Sequence, residues 1–235
     1  GYSWRLDSPP FSQARTAIPY VWRDGVQTPL PLLEGWPGAY AFGMNNRGDV
    51  IGTANKVATN PAGTADMVYQ TPVLWAHPDM MPVQLGLLLD GISAAATGIN
   101  SRQQIVGYAS GGPSGPHPFL WQKGTMSELS YPDTYPGNVG MGQAYAINDK
   151  GEIAGVTGLP NPGPFEATLW DNKGRAHQLG TLGGEAPISF ANAINNRTQV
   201  VGYSMTWQPG GLRRAFLWEG EALRDLGTLG GAQSA

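Results

Sequence analysis

The side chains best suited to holding a ligand are aromatics that stand outside the chain's repeating pattern. Trp4 and Trp207 each follow a Gly-Tyr-Ser stretch by one to three residues, and Trp36 is likewise out of register. The segments 5–17, 55–70, 110–118, 158–166 and 205–214 read as long variable loops, and Tyr69 and Phe165 lie in them with Trp207. Loops on a rigid scaffold are where binding usually resides. An aromatic ring there stacks on a sugar or anchors a protein partner, with Asn, Asp and Arg close by for its polar edge. Trp4, Tyr69, Phe165 and Trp207 are therefore the expected ligand contacts. Their simpler role is to cap the ends of strands.

Acid–base chemistry is less well served. The chain has 17 carboxylates and three histidines. A glycoside hydrolase would need two of those carboxylates converging at about 5–9.5 Å. Asp49, Asp149, Glu152, Asp171, Glu219 and Glu221 all fall in or beside tight turns, where solvation accounts for them. His77, His117 and His177 occupy non-equivalent positions, with no Ser/His/Asp or His-x-His grouping. No Asp-x-Asp-x-Asp loop or Gly-rich phosphate cradle occurs, so no catalytic set, metal or nucleotide cofactor is expected.

These residues sit on a repeat. A Trp strand recurs at Trp22, Trp75, Trp121, Trp170 and Trp218. A hairpin recurs as Met44-Asn45…Gly52, Ile99-Asn100…Gly107, Ile147-Asn148…Gly155 and Ile194-Asn195…Gly202, and a leucine strand follows each Trp. Each unit is four short apolar runs separated by turn residues, which predicts four antiparallel strands in series. Five copies of about 47 residues fit, at approximately 1–38, 39–90, 91–138, 139–185 and 186–235.

The strand Ala215-Phe216-Leu217-Trp218 is apolar on both faces, so its sheet must lie between two others. Radial packing of four-stranded sheets achieves this and shields most edges. The expected fold is all-β: a five-bladed β-propeller of four-stranded antiparallel blades, forming a single domain over 1–235. All five repeated Trp side chains are expected in its core. Gln103 and Thr198 stand where the other hairpins have Gly48 and Gly151, so those two hairpins either accept strained left-handed backbone or use another turn. The strand glycines 52, 107, 155 and 202 predict close approach of another backbone or a ring, with the Trp as its natural source.

Gly1-Tyr2-Ser3 matches Gly202-Tyr203-Ser204, so the first blade is incomplete and lacks its first strand. The open edge is expected to be filled by sequence outside these residues or by a neighbouring molecule, making self-association a candidate property. Starting on Gly1 suits a processed form or part of a longer protein.

Composition narrows the partners. With 34 Gly, 20 Pro and 13% charged residues, this is a turn-rich β composition. Net charge is −3 and the basic residues are scattered, so nucleic acid is not an expected partner. No apolar run reaches the length of about 18 residues needed for a helical membrane span. There is no Cys, which rules out disulfides and thiolate metal sites.

The segments 193–202, 215–220 and 225–231 together resemble the HAF repeat of predicted extracellular bacterial proteins. The copy containing Ile147 matches nearly as well through Leu179-Gly180-Thr181-Leu182-Gly183-Gly184. The first two copies depart most, with Met44 in place of Ile and no Thr-Leu-Gly-Gly tail. The resemblance implies export to the cell exterior or surface and brings no catalytic residues. The functional expectation is a secreted, non-catalytic binding module, lectin-like, recognising a glycan or a surface protein. A self-assembling structural protein is the alternative, and a glycoside hydrolase-like propeller comes third.

Overall fold

The structure is a computed structural model. It describes residues 2–5, 16–59, 66–88, 91–110, 115–160, 165–183, 188–206, 212–228, 230–231 and 234. Apart from one 3-10 turn at Pro136–Asn138, the regular structure among them is β-strand.

A three-stranded sheet is formed by β1 (Tyr2–Arg5), β2 (Thr16–Arg23) and β3 (Val26–Pro29). Two four-stranded antiparallel runs follow. The first is β4 (Gly38–Met44), β5 (Val50–Thr59), β6 (Asp66–Trp75) and β7 (Val83–Gln84). The second is β8 (Ser93–Ile99), β9 (Ile105–Ser110), β10 (His117–Gln122) and β11 (Thr125–Glu128). One parallel bridge, Gln70 to Ser93, joins these two runs into a larger sheet. Two separate four-stranded sheets complete the chain. One holds β12 (Met141–Ile147), β13 (Ile153–Gly158), β14 (Phe165–Trp170) and β15 (Ala176–Gly180). The other holds β16 (Ile188–Ile194), β17 (Val200–Thr206), β18 (Leu212–Glu219) and β19 (Ala222–Asp225). Within each run strand order follows chain order, with β7 and β8 both joined to β6, and no sheet closes on itself.

The first strands of the four-stranded runs pack side by side, β4 on β8, β8 on β12 and β12 on β16. Each carries an Asn just past its end, and that Asn does two jobs. The Asn148 Oδ1 accepts the backbone N–H groups of Lys150 and Glu152, at 3.0 and 2.9 Å, closing its own turn. Its Nδ2 donates to Glu152 Oε2 and, across the sheet boundary, to the Asn195 carbonyl at 3.0 Å. Asn45 donates in the same way to the Asn100 carbonyl, and Asn100 to that of Asn148, each at 3.0 Å. The amides thus form a ladder that ties successive sheets together. Of the two alternatives for Gln103 and Thr198 the left-handed one holds, with φ of 60° and 64°, and the two Asn-held N–H groups in each turn offset that strain.

The ladder corrects the reading of the turn carboxylates. Asp49 is buried and accepts from Asn45 at 2.8 Å, and Glu152 accepts from both Asn148 and Thr198. Asp149 accepts the Ser101 N–H at 2.8 Å, and this bond is the largest cause holding its pKa below the usual carboxylate value. Asp149 and Glu152 thus serve the inter-sheet contact, and Asp49 holds the Asn45 amide within its own hairpin, instead of merely facing water.

Each inner strand has a bulge at the same place, which aims a carbonyl at the strand glycine opposite. A Cβ at Gly202 would lie 1.8 Å from the Phe190 oxygen and 2.9 Å from the Phe216 ring. At Gly155 the intruding atoms are the Gln143 oxygen at 2.1 Å and the Trp170 ring at 3.0 Å. The neighbouring ring is therefore Trp only in some copies, because Phe216 and Phe119 take that space where they occur two residues before the Trp.

This substitution overturns the expectation of five buried Trp side chains. Trp75 and Trp170, preceded by Val73 and Thr168, are fully buried. Their indole N–H groups donate to the Pro31 and Ser130 carbonyls of the preceding sheet, at 2.8 and 2.7 Å. Trp121 and Trp218 are displaced by Phe119 and Phe216 and are half-buried. Trp22 is 65% exposed, at the rim of a groove between the first sheet and β4.

Two measurements check this account. Trp170→Ala is expected to cost about 3–5 kcal/mol, whereas Trp22→Ala should stay within about 0.5 kcal/mol of wild type by urea unfolding. Asn148→Ala, which strips the partners from four groups, should lower stability by about 2–4 kcal/mol with an unchanged m-value.

Candidate functional site

The expected ligand aromatics do not form one cluster among the described residues. Tyr69 is on β6 and half-buried, with the Lys56 ammonium 5.9 Å from its ring centre. That ammonium lies closer to Trp36, at 4.6 Å, so Trp36 and Tyr69 share a cation. Phe165 opens β14, in a different sheet, and is half-buried. Trp4 belongs to β1 by its backbone, and its side chain lies outside what is described. Trp207 lies outside the described residues altogether.

A more concentrated set of groups occurs where β14 and β15 meet β18. Leu169 and Leu179 form the apolar base of a cleft of about 380 Å³, and the half-buried Trp218 ring forms a wall. Asp171, His177, Gln178 and Glu221 supply the polar lining. Local turns set their positions. The Asp171 Oδ1 accepts the N–H groups of Lys173 and Arg175 at 2.8 and 2.9 Å, closing the β14–β15 hairpin. Its Oδ2 is left facing the His177 Nε2 at 3.2 Å. Glu221 stands in the β18–β19 turn at a φ of 67°. Gln178 is oriented by Thr134, which donates to its Oε1 at 3.3 Å, and by the Tyr135 hydroxyl, which accepts from its Nε2 at 3.4 Å.

The surroundings of Asp171 favour its charged form. Burial acts to raise the Asp171 pKa, but the N–H of Arg175, the His177 ring and the N–H of Lys173 outweigh it. The carboxyl is held below its ordinary value and stays ionised. Among the described residues no Lys or Arg lines the cleft. The polar edge is rich in acceptors beside one aromatic face, and the Trp218 indole N–H has no partner among the described residues. The equivalent space at Trp75 and Trp170 is closed by the indole itself bonding to the neighbouring sheet.

Sequence reasoning missed this cleft because Trp218 is one of five Trp in register. The available signal was the residue two places earlier, Phe216, which denies the indole its buried seat.

Other titratable groups are structural. The His117 Nδ1 lies 2.7 Å from the Glu128 Oε1 and 2.9 Å from the Tyr131 hydroxyl, which donates to the same carboxylate oxygen at 2.7 Å. Burial, then the Glu128 bond, pushes the Tyr131 pKa well up, so its proton stays on and clamps β10 to β11. The Glu166 pKa is raised by burial alone, with no second carboxylate contributing. No group of three His, Asp or Glu able to hold a metal ion occurs among the described residues.

No protein-family profile matches the chain, and no curated protein matches it significantly. Among solved structures it is similar to the β-propeller domain of the Trilobed protease from Pyrococcus furiosus, described as having an open velcro topology. The TM-score is 0.51 at 14% identity, over 82% of this chain and 52% of that one, so the chain spans about half the length of its structural neighbour. At that identity the likeness concerns fold alone. The chain has a β-propeller fold.

The Asp171 contacts give a pH test. A carboxyl whose folded pKa is depressed stabilises the fold above its unfolded pKa, and that stability is lost as pH falls through the folded value. Asp171→Asn should therefore lower Tm at neutral pH, and the gap to wild type should shrink below about pH 4.

Proposed function

We propose that this chain is a non-catalytic, five-bladed propeller module that binds a neutral carbohydrate in the cleft at Trp218. The observation that carries this reading is one aromatic wall without an indole partner, set beside Asp171, His177, Gln178 and Glu221 over an apolar base. A pyranose presents an apolar face that stacks on an indole and a rim of hydroxyl donors that carboxylate oxygens accept. The absence of Lys and Arg from the lining favours neutral over acidic sugars. Five-fold closure is supported by one three-stranded and four four-stranded antiparallel units in sequence, joined through a single Asn type. Export from the cell rests on the resemblance of the repeat to HAF proteins.

A glycan array followed by calorimetry on the hits tests the proposal. Gln178→Ala and Glu221→Gln, both at the cleft edge, should each weaken binding about tenfold while leaving Tm within about 2 °C. Trp218→Ala should abolish binding. An array without hits, or hits indifferent to all three substitutions, would overturn the assignment.

A further inference from the structure

Seven residues, 76–82, join β6 to β7. Two suffice at the same hairpin in three other sheets, 24–25, 123–124 and 220–221, and five, 171–175, in the fourth. Closing the hairpin therefore does not require this length. The longer turn carries His77, Met80 and Met81, and two prolines hold its shape. The Met80 N–H donates to the His77 carbonyl at 3.0 Å, closing a turn in which Pro78 takes the second position, where its fixed φ fits. Pro82 keeps Met81 extended.

The turn gathers soft ligands in an accessible place. Its first and fourth Cα atoms lie within about 7 Å, so the His77 and Met80 side chains start from neighbouring points and Met81 follows directly. Met ordinarily fills gaps in a core, yet Met80 and Met81 are 56% and 59% exposed. The His77 Nδ1 lies 3.3 Å from the Asp79 Oδ2, with both side chains open to solvent. A carboxylate only accepts, so in the neutral imidazole Nδ1 carries the proton and Nε2 keeps its lone pair. In that arrangement a carboxylate orients a metal-ligating His and raises its basicity. Among the described residues no trio of His, Asp or Glu is available to a harder ion, but imidazole with two thioethers is a different ligand set.

We propose that the 76–82 turn binds a soft monovalent metal ion, Cu(I), through the His77 Nε2 and the thioether sulfurs of Met80 and Met81. Thioether and imidazole together suit Cu(I), whereas oxygen ligands suit Mg²⁺ and Ca²⁺, and Zn²⁺ sites use thiolate, imidazole and carboxylate. All three ligands are neutral, and Asp79 places one negative charge beside them to offset that of the ion. The unbranched Met side chain, with its three rotatable bonds, lets two consecutive residues turn onto one ion. This turn and the Trp218 cleft lie on different sheets, and neither assignment depends on the other.

The test titrates Ag(I), a redox-inert stand-in for Cu(I), into the 235-residue chain labelled with ¹³C at its methionine methyl groups. The Met80 and Met81 signals, assigned through Met80→Leu and Met81→Leu, should shift together with the His77 ring and saturate at one ion per chain. Met44, 58% exposed on β4, is the internal control and should not move over that range. His77→Gln and Met80→Leu should each weaken binding about tenfold while leaving Tm within about 2 °C. Cu(I), kept reduced by ascorbate, should displace the Ag(I). Failure of Cu(I) to do so, displacement by an equal amount of Zn²⁺, or a Met44 shift over the same range would each overturn the proposal. So would unchanged binding in the Met80→Leu, Met81→Leu double variant.

Discussion

A turn that packs against its neighbours must satisfy its backbone polar groups without water, and this requirement governs how the sheets are assembled. A single carboxamide meets it. The Asn oxygen accepts two N–H groups of its own turn while its nitrogen donates to a side chain four residues on and to the next sheet's carbonyl. No other side chain of that length has two acceptor positions and two donors at once. Local turn closure and contact between sheets are thus one interaction. Asn100 and Asn148 are accordingly among the few buried polar residues of the chain.

The apolar packing follows a second constraint, that the space over the strand glycine holds one large ring. Where the strand carries Phe119 or Phe216, the Phe fills it and the Trp two residues later moves to the margin. Where it carries Val73 or Thr168, the Trp enters and donates its N–H to the preceding sheet. A repeat position that looks invariant therefore holds core residues in some copies and surface residues in others. The cleft at Trp218 is a product of that exchange, since interiors accommodate one ring there and not two.

Function divides along the same lines. The inner ends of the sheets are committed to the ladder and the strand glycines to close contacts, so variation is tolerated at the outer hairpins and along unmatched edges. The acceptor-rich cleft between the last two sheets lies at such outer hairpins.

The sequence by itself determined the all-β class and the succession of antiparallel strands seen among the described residues. Period-two apolar runs and Asn- or Gly-bearing turns are local features, and each of the strand groups falls where those patterns put it. At Gln103 and Thr198 the sequence left two turns open, because the equivalent hairpins carry Gly, and the structure takes the left-handed one. Burial was not legible. Trp22, Trp75 and Trp121 look alike along the chain, yet one is exposed, one buried and one half-buried, since that depends on which sheet faces each of them. The turn carboxylates Asp149 and Glu152 likewise looked solvated until the Ser101 N–H and the Thr198 hydroxyl of neighbouring copies were in place. Residues of separate copies, such as Asp171 and Trp218, share a cleft only because two sheets pack together. Tertiary structure alone decided these outcomes, because the contacts join positions about one repeat apart, and a repeating sequence carries little information on which copies lack a neighbour.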